Sequence, residues 1–146
     1  MESAIVSIVA DRPCRRMLHP VHAALLAGTI PLFLGTTLSD FAYASSYQVQ
    51  WANFSSWLIV GGLLFGGLAL LWAVIDLFRA ERRVRSLVYV LLLLVAWILG
   101  LVNAFIHARD AWASMPTGLV LSVIVTVLVV VATGLGFAGF RAGGAK

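Results

Sequence analysis

Charge is the scarcest ingredient of this chain. Only 11% of its 146 residues are Asp, Glu, Lys or Arg, against 62% hydrophobic residues. Soluble domains carry about a quarter charged residues, so a water-facing surface cannot be covered and a soluble globular domain is excluded. Disorder is excluded as well, because disordered chains combine low hydrophobicity with high net charge. Cysteine is scarcer still. Cys14 is the single one, which allows neither an intrachain disulfide nor a four-cysteine metal site. The chain also lacks a Gly-rich phosphate loop, a Ser-His-Asp set and an HExxH helix, so no catalysis of its own is expected. The net charge of +4 is too small an excess to point to nucleic acid. Met1-Glu2-Ser3 is not a basic leader, and Asp11, Arg12, Arg15 and Arg16 follow a weak apolar stretch. Residues 1–18 therefore read as a cytoplasmic tail rather than a cleaved signal peptide.

What the chain has is four long apolar runs. A helix needs about 20 apolar residues to cross roughly 30 Å of hydrocarbon. The runs predict spans at about 22–42, 57–77, 84–106 and 118–140, with a short tail at 141–146. Membrane β-strands are about 10 residues long and alternate with polar lumen positions; Leu91–Val95 is apolar on every face, so the helix is preferred. The fold class expected is an all-α integral membrane four-helix bundle in one domain, residues 19–140.

Orientation follows from the basic residues. Arg12, Arg15, Arg16, Arg79, Arg82, Arg83, Arg85, Arg141 and Lys146 fall on one side of this topology, and Arg109 alone falls on the other. The positive-inside rule puts both termini in the cytoplasm. Trp51, Trp57 and Trp112 then belong to an outer aromatic belt with Tyr43 and Tyr47. Pro31 interrupts the first span; a kink is expected there, with Thr29 or a neighbouring helix serving the freed carbonyl. Gly62 and Gly66 form a GxxxG pair, and Gly134, Gly136 and Gly139 repeat the theme in the fourth span. Such residues let backbones approach closely, inside one bundle or across a homodimer.

The ionisable residues form two clusters. At the cytoplasmic end, His19 and His22 share a helix face, with Asp76 and Arg79 at the same depth. This is either a paired set of helix-end anchors or a site for a metal, a lipid headgroup or a quinone. At the outer end lie Asp40, Asn103, His107, Arg109, Asp110 and Trp112. Asp40 is expected to pair with Arg109 or His107, because an unpaired charge there is costly. The dense stretch His107–Trp112 reads either as a helix cap or as an outward patch for a partner or ligand. A bis-histidine haem needs two histidines at one depth on facing helices. His22 and His107 lie near opposite ends, roughly 30 Å apart by the span length, so a haem within one chain is not favoured. A transporter carries a charge deep in the bilayer, whereas every ionisable group here reads as near an end.

His19-Pro20-Val21-His22, Pro31, Asp40, Ile75-Asp76-Leu77-Phe78 and Gly118-Leu119-Val120-Leu121-Ser122 resemble a bacterial four-helix membrane family, domain of unknown function 2231, over about residues 17–140. Two departures stand out. Ala23 stands where many members have a second proline, and Ser86–Tyr89 lacks a histidine that several carry. The resemblance implies no established activity. Some members are fused to Rieske iron–sulfur domains, and some look to be encoded beside quinoprotein dehydrogenases. The expectation is a bacterial inner-membrane accessory or anchor subunit for a periplasmic redox protein. A quinone- or haem-binding electron-transfer protein and a small homo-oligomeric transporter are the alternatives.

Overall fold

The computed structural model describes residues 19–79, 83–109 and 111–142. The expected tail at 1–18, Asp110 and residues 143–146 lie outside the described residues, as does the side chain of Trp112. Helix α1 spans Pro20–Ser46, α2 Val49–Arg79, α3 Arg83–His107 and α5 Thr117–Ala142, with a single-turn α4 at Ala111–Ser114. The four long helices are apolar enough to cross a membrane, and no strand occurs among the described residues. They form a ring, up-down-up-down. Each long helix packs on its two neighbours, α1 on α2 and α5, α3 on α2 and α5.

The helices outrun the expected spans, most clearly at the first turn. Helix α2 begins at Val49 rather than near Trp57, and α1 continues to Ser46 rather than about residue 42. The polar stretch 45–50 reads as a loop, yet only Tyr47 and Gln48 separate the two helices. Tyr47 adopts the left-handed conformation (φ 57°) and its N–H donates to the Tyr43 carbonyl at 2.8 Å, closing α1. Helix α1 also runs through Pro31 without a break. The carbonyl that Pro31 frees is that of Ala27, one turn back. Thr29 does not serve it: its hydroxyl donates to the Leu26 carbonyl at 2.6 Å.

The bundle is inside-out relative to a soluble one. Phe78, Trp57, Phe105 and Leu64 are among the large apolar residues left exposed, where lipid would meet them. Lipid gives no hydrophobic drive for helices to associate, so close van der Waals packing and interhelical hydrogen bonds hold such bundles together. The buried residues fit that physics. One cluster joins Leu26, Ala69, Ala73, Val90, Leu93 and Ala132; another joins Phe33, Ala96, Val125 and Val129. Phe33 is the large knob at mid-bundle. A Cβ built on Gly62 would come within 2.8 Å of its ring, and one on Gly100 within 3.3 Å. Gly66 faces Thr29 and Trp97, and the Trp97 indole N–H donates to the Leu63 carbonyl at 3.0 Å. Gly134 departs from the expected packing role: a Cβ there meets nothing within 4 Å, because this position is on the outer surface of α5.

Gly62→Ala should therefore lower stability by about 1–3 kcal/mol, since Phe33 is hemmed in by Gly100 and cannot step aside. Gly134→Ala should raise it by up to about 1 kcal/mol, the helix-propensity gain alone. Thermal melting of the two variants in detergent, followed by circular dichroism, checks the opposite signs.

Candidate functional site

One residue joins all four long helices. Asp40 of α1 is 0% exposed and well inside the helix, roughly 9 Å before its end by the helical rise. This corrects the expectation that every ionisable group sits at a helix end. Ser55 of α2 donates its hydroxyl to Asp40 Oδ1, and Ser122 of α5 donates to Oδ2. His107 of α3 places Nε2 2.8 Å from Oδ1. Asn103, one turn back on α3, donates from Nδ2 to Ser122 Oγ at 2.8 Å. Ser55, Ser122 and Asn103 are all fully buried, and the His107 side chain is 2% exposed.

The placement follows from local geometry. Asn103 and His107 are four apart, so they share the inward face of α3. His107 reaches across the ring axis because Gly118 leaves room on α5: a Cβ at Gly118 would lie 2.8 Å from His107 Cε1. The imidazole is held at both nitrogens. Nδ1 lies 3.0 Å from the Asn103 carbonyl oxygen, which can only accept, so Nδ1 carries a hydrogen. Nε2 and Oδ1 at 2.8 Å then share one proton, since two lone pairs would repel at that distance. With that proton the pair is neutral as a whole, which is how a carboxylate is tolerated in a low-dielectric interior. One turn inward on α1, the Thr37 and Thr126 hydroxyls meet at 2.9 Å, both near the Phe33 carbonyl. They extend the α1–α5 polar seam.

The outer residues expected to form one surface patch are therefore divided. Asp40, Asn103 and His107 are inside the bundle, and no docking partner can touch them. Arg109 is exposed. It is not the partner of Asp40, since among the described residues the ion pair is His107–Asp40. Asp110 lies outside the described residues. Sequence reading missed Ser55, Ser122 and Gly118 as site residues. Ser55 fell in the stretch taken to precede the second span. Ser122 and Gly118 were visible only as part of a family-like motif. The usable signal was a serine within the first two turns of an apolar helix, which in lipid needs a partner.

The opposite end has a different character. His22 is 2% exposed, and its Nε2 lies 3.2 Å from the Tyr89 hydroxyl. His22 Nδ1 is buried with no hydrogen-bond partner among the described residues. Trp72 of α2 approaches both histidines, with ring centroids 4.8 Å from His19 and 6.1 Å from His22. Asp76 and Arg79 are exposed at the end of α2, and the charge of Asp76 reaches His22 and Tyr89. The aromatic partners Trp72 and Tyr89 were not anticipated; packing between helices, not spacing along one, brings them in.

Replacing Asp40 by Leu strips Ser55, Ser122 and His107 of their shared acceptor. It should cost about 3 kcal/mol. Arg109→Ala, on an exposed residue, should stay within about 0.5 kcal/mol of the parent. Melting curves of the two variants check this contrast, and equal losses would contradict the buried placement of Asp40.

No curated protein and no solved structure matches the chain. Residues 18–139 match a family described as predicted membrane protein, DUF2231. The match covers most of the chain and agrees with the four membrane-length helices. This four-helix membrane protein belongs to the DUF2231 family.

Proposed function

We propose that the protein is an accessory subunit of a bacterial inner membrane, both termini cytoplasmic, that anchors a redox protein at its outer end and performs no catalysis of its own. The observation that carries this reading is the Asp40 network. One carboxylate ties all four helices together just below the outer end. Such cross-linking makes that end a fixed platform, the property an anchor needs. Arg109 stands exposed on it, and arginine is a residue type enriched where partners bind. The distribution of basic residues supports the orientation. The periplasmic quinoprotein dehydrogenases and Rieske-type domains associated with similar chains supply the class of partner. Charge reversal at Arg109 tests the reading. Arg109→Glu should weaken co-purification of the partner from native membranes by about 30-fold, equivalent to about 2 kcal/mol, with melting unchanged. Undiminished co-purification would overturn it.

A second reading, quinone-linked electron transfer, draws on the inner end. A buried His22 Nδ1 without a partner, beside Trp72 and the Tyr89 hydroxyl, is suited to a quinone headgroup. The hydrogen bond to Tyr89 runs in either direction with the tautomer. Nδ1 can thus donate to a quinone carbonyl or accept from a quinol hydroxyl. A soluble quinone analogue should then quench tryptophan fluorescence saturably in the parent, and only linearly in both His22→Leu and Trp72→Phe. Linear quenching in the parent would refute it.

A further inference from the structure

The polar centre around Asp40 has a composition that goes beyond a clasp. Its oxygens come from the Asp40 carboxylate, the Ser55 and Ser122 hydroxyls and the Asn103 side-chain carbonyl. They are contributed by all four long helices, and every one of these residues is 0% exposed. A clasp alone does not account for Asn103. Its Nδ2 is spent on Ser122, while its Oδ1 is buried and has no hydrogen-bond partner among the described residues. A buried acceptor left unsatisfied is costly. Here it belongs to the carboxamide whose Nδ2 touches the network, and a cation bound there would satisfy it once the amide turns its oxygen inward.

We infer that this centre is a binding site for one sodium ion, held by Asp40, Ser55, Ser122 and Asn103. Hard oxygen donors with no thiolate select an alkali ion or a hard divalent ion (magnesium, calcium, manganese) over softer transition metals. Charge then decides between the two. As it stands, the Asp40–His107 pair holds one proton and is neutral. A sodium ion exchanges one positive charge for that proton, which leaves to water, and the site remains neutral with His107 uncharged. Calcium or magnesium would leave a net charge in hydrocarbon, where charge costs several kcal/mol. Both also call for six or more ligands, commonly with bound water. His107 stays anchored through Nδ1 to the Asn103 carbonyl, and the entering ion takes the proton's place between its Nε2 lone pair and Asp40 Oδ1, moving the two apart. Tyr43 is buried one turn further along the same face of α1.

This inference is independent of partner docking at Arg109, and its test needs no partner. The purified full-length chain in detergent is melted at constant pH and ionic strength in sodium, potassium or choline chloride. Sodium should raise the Tm by about 5 °C at saturation, with little change in potassium or choline. The sodium shift should vanish in Asn103→Leu and in Ser122→Ala. Sodium-23 NMR line broadening should report the ion directly in the parent and be lost in Asp40→Asn, which keeps the readout separate from stability. A parent that melts identically in sodium and choline would overturn the site. So would a sodium shift that persists in both Asn103→Leu and Ser122→Ala.

Discussion

A carboxylate placed in hydrocarbon must find all its partners within the protein, and Asp40 finds them on every long helix of the bundle. Two serines donate to it, a histidine shares a proton with it, and an asparagine braces one of the serines. Lipid offers no competing donor and no driving force of its own for helix association. The network therefore sets which faces of the helices turn inward and at what depth they meet. Ser55 comes from the start of α2, His107 from the end of α3 and Ser122 from the start of α5. Satisfying Asp40 requires the up-down-up-down order in this register.

Below the network the bundle is held by shape. Phe33 fills the axis against Gly62 and Gly100, and small residues such as Ala69, Ala73, Ala96 and Ala132 let the backbones come close. The two devices depend on each other. Close packing excludes water, which makes the Asp40 contacts exclusive. The polar contacts in turn fix the rotation of each helix, so that glycines and not branched residues face Phe33. Gly118 links them directly, because its missing side chain is the space that His107 occupies.

The two ends of the molecule thus differ in chemistry. At the Asp40 end, among the described residues, the buried side-chain polar atoms are matched except Asn103 Oδ1. At the His22 end, rings dominate, and His22 keeps one nitrogen unmatched between Trp72 and Tyr89. A bis-histidine haem would have to draw His107 away from both Asp40 and the Asn103 carbonyl, and to bridge from there to His22 at the far end. Thr133 Oγ1 on α5 is the third buried polar atom without a partner among the described residues.

The linear pattern of residues determined the class of fold, because span length and scarcity of charge are local quantities that a bilayer reads directly. Four apolar runs in the sequence became four helices of membrane length. That Asp40 needs a partner was also legible, with Arg109 or His107 as the candidates, since helices running in the same direction place their ends together. That the partner is His107 was decided by the tertiary structure. The helix limits around 45–50 were less legible: a polar stretch looks like a loop until Tyr47 and Gln48 turn the chain between two helices. Burial was not legible at all. Asp40, Asn103 and His107 look like surface chemistry in the sequence, and only the rotation of each helix about its own axis puts them inside. Ser55, Ser122 and Gly118 acquire a role for the same reason. A hydroxyl or a missing side chain matters only to what faces it, and what faces it is set by contacts between residues 15 to 82 positions apart.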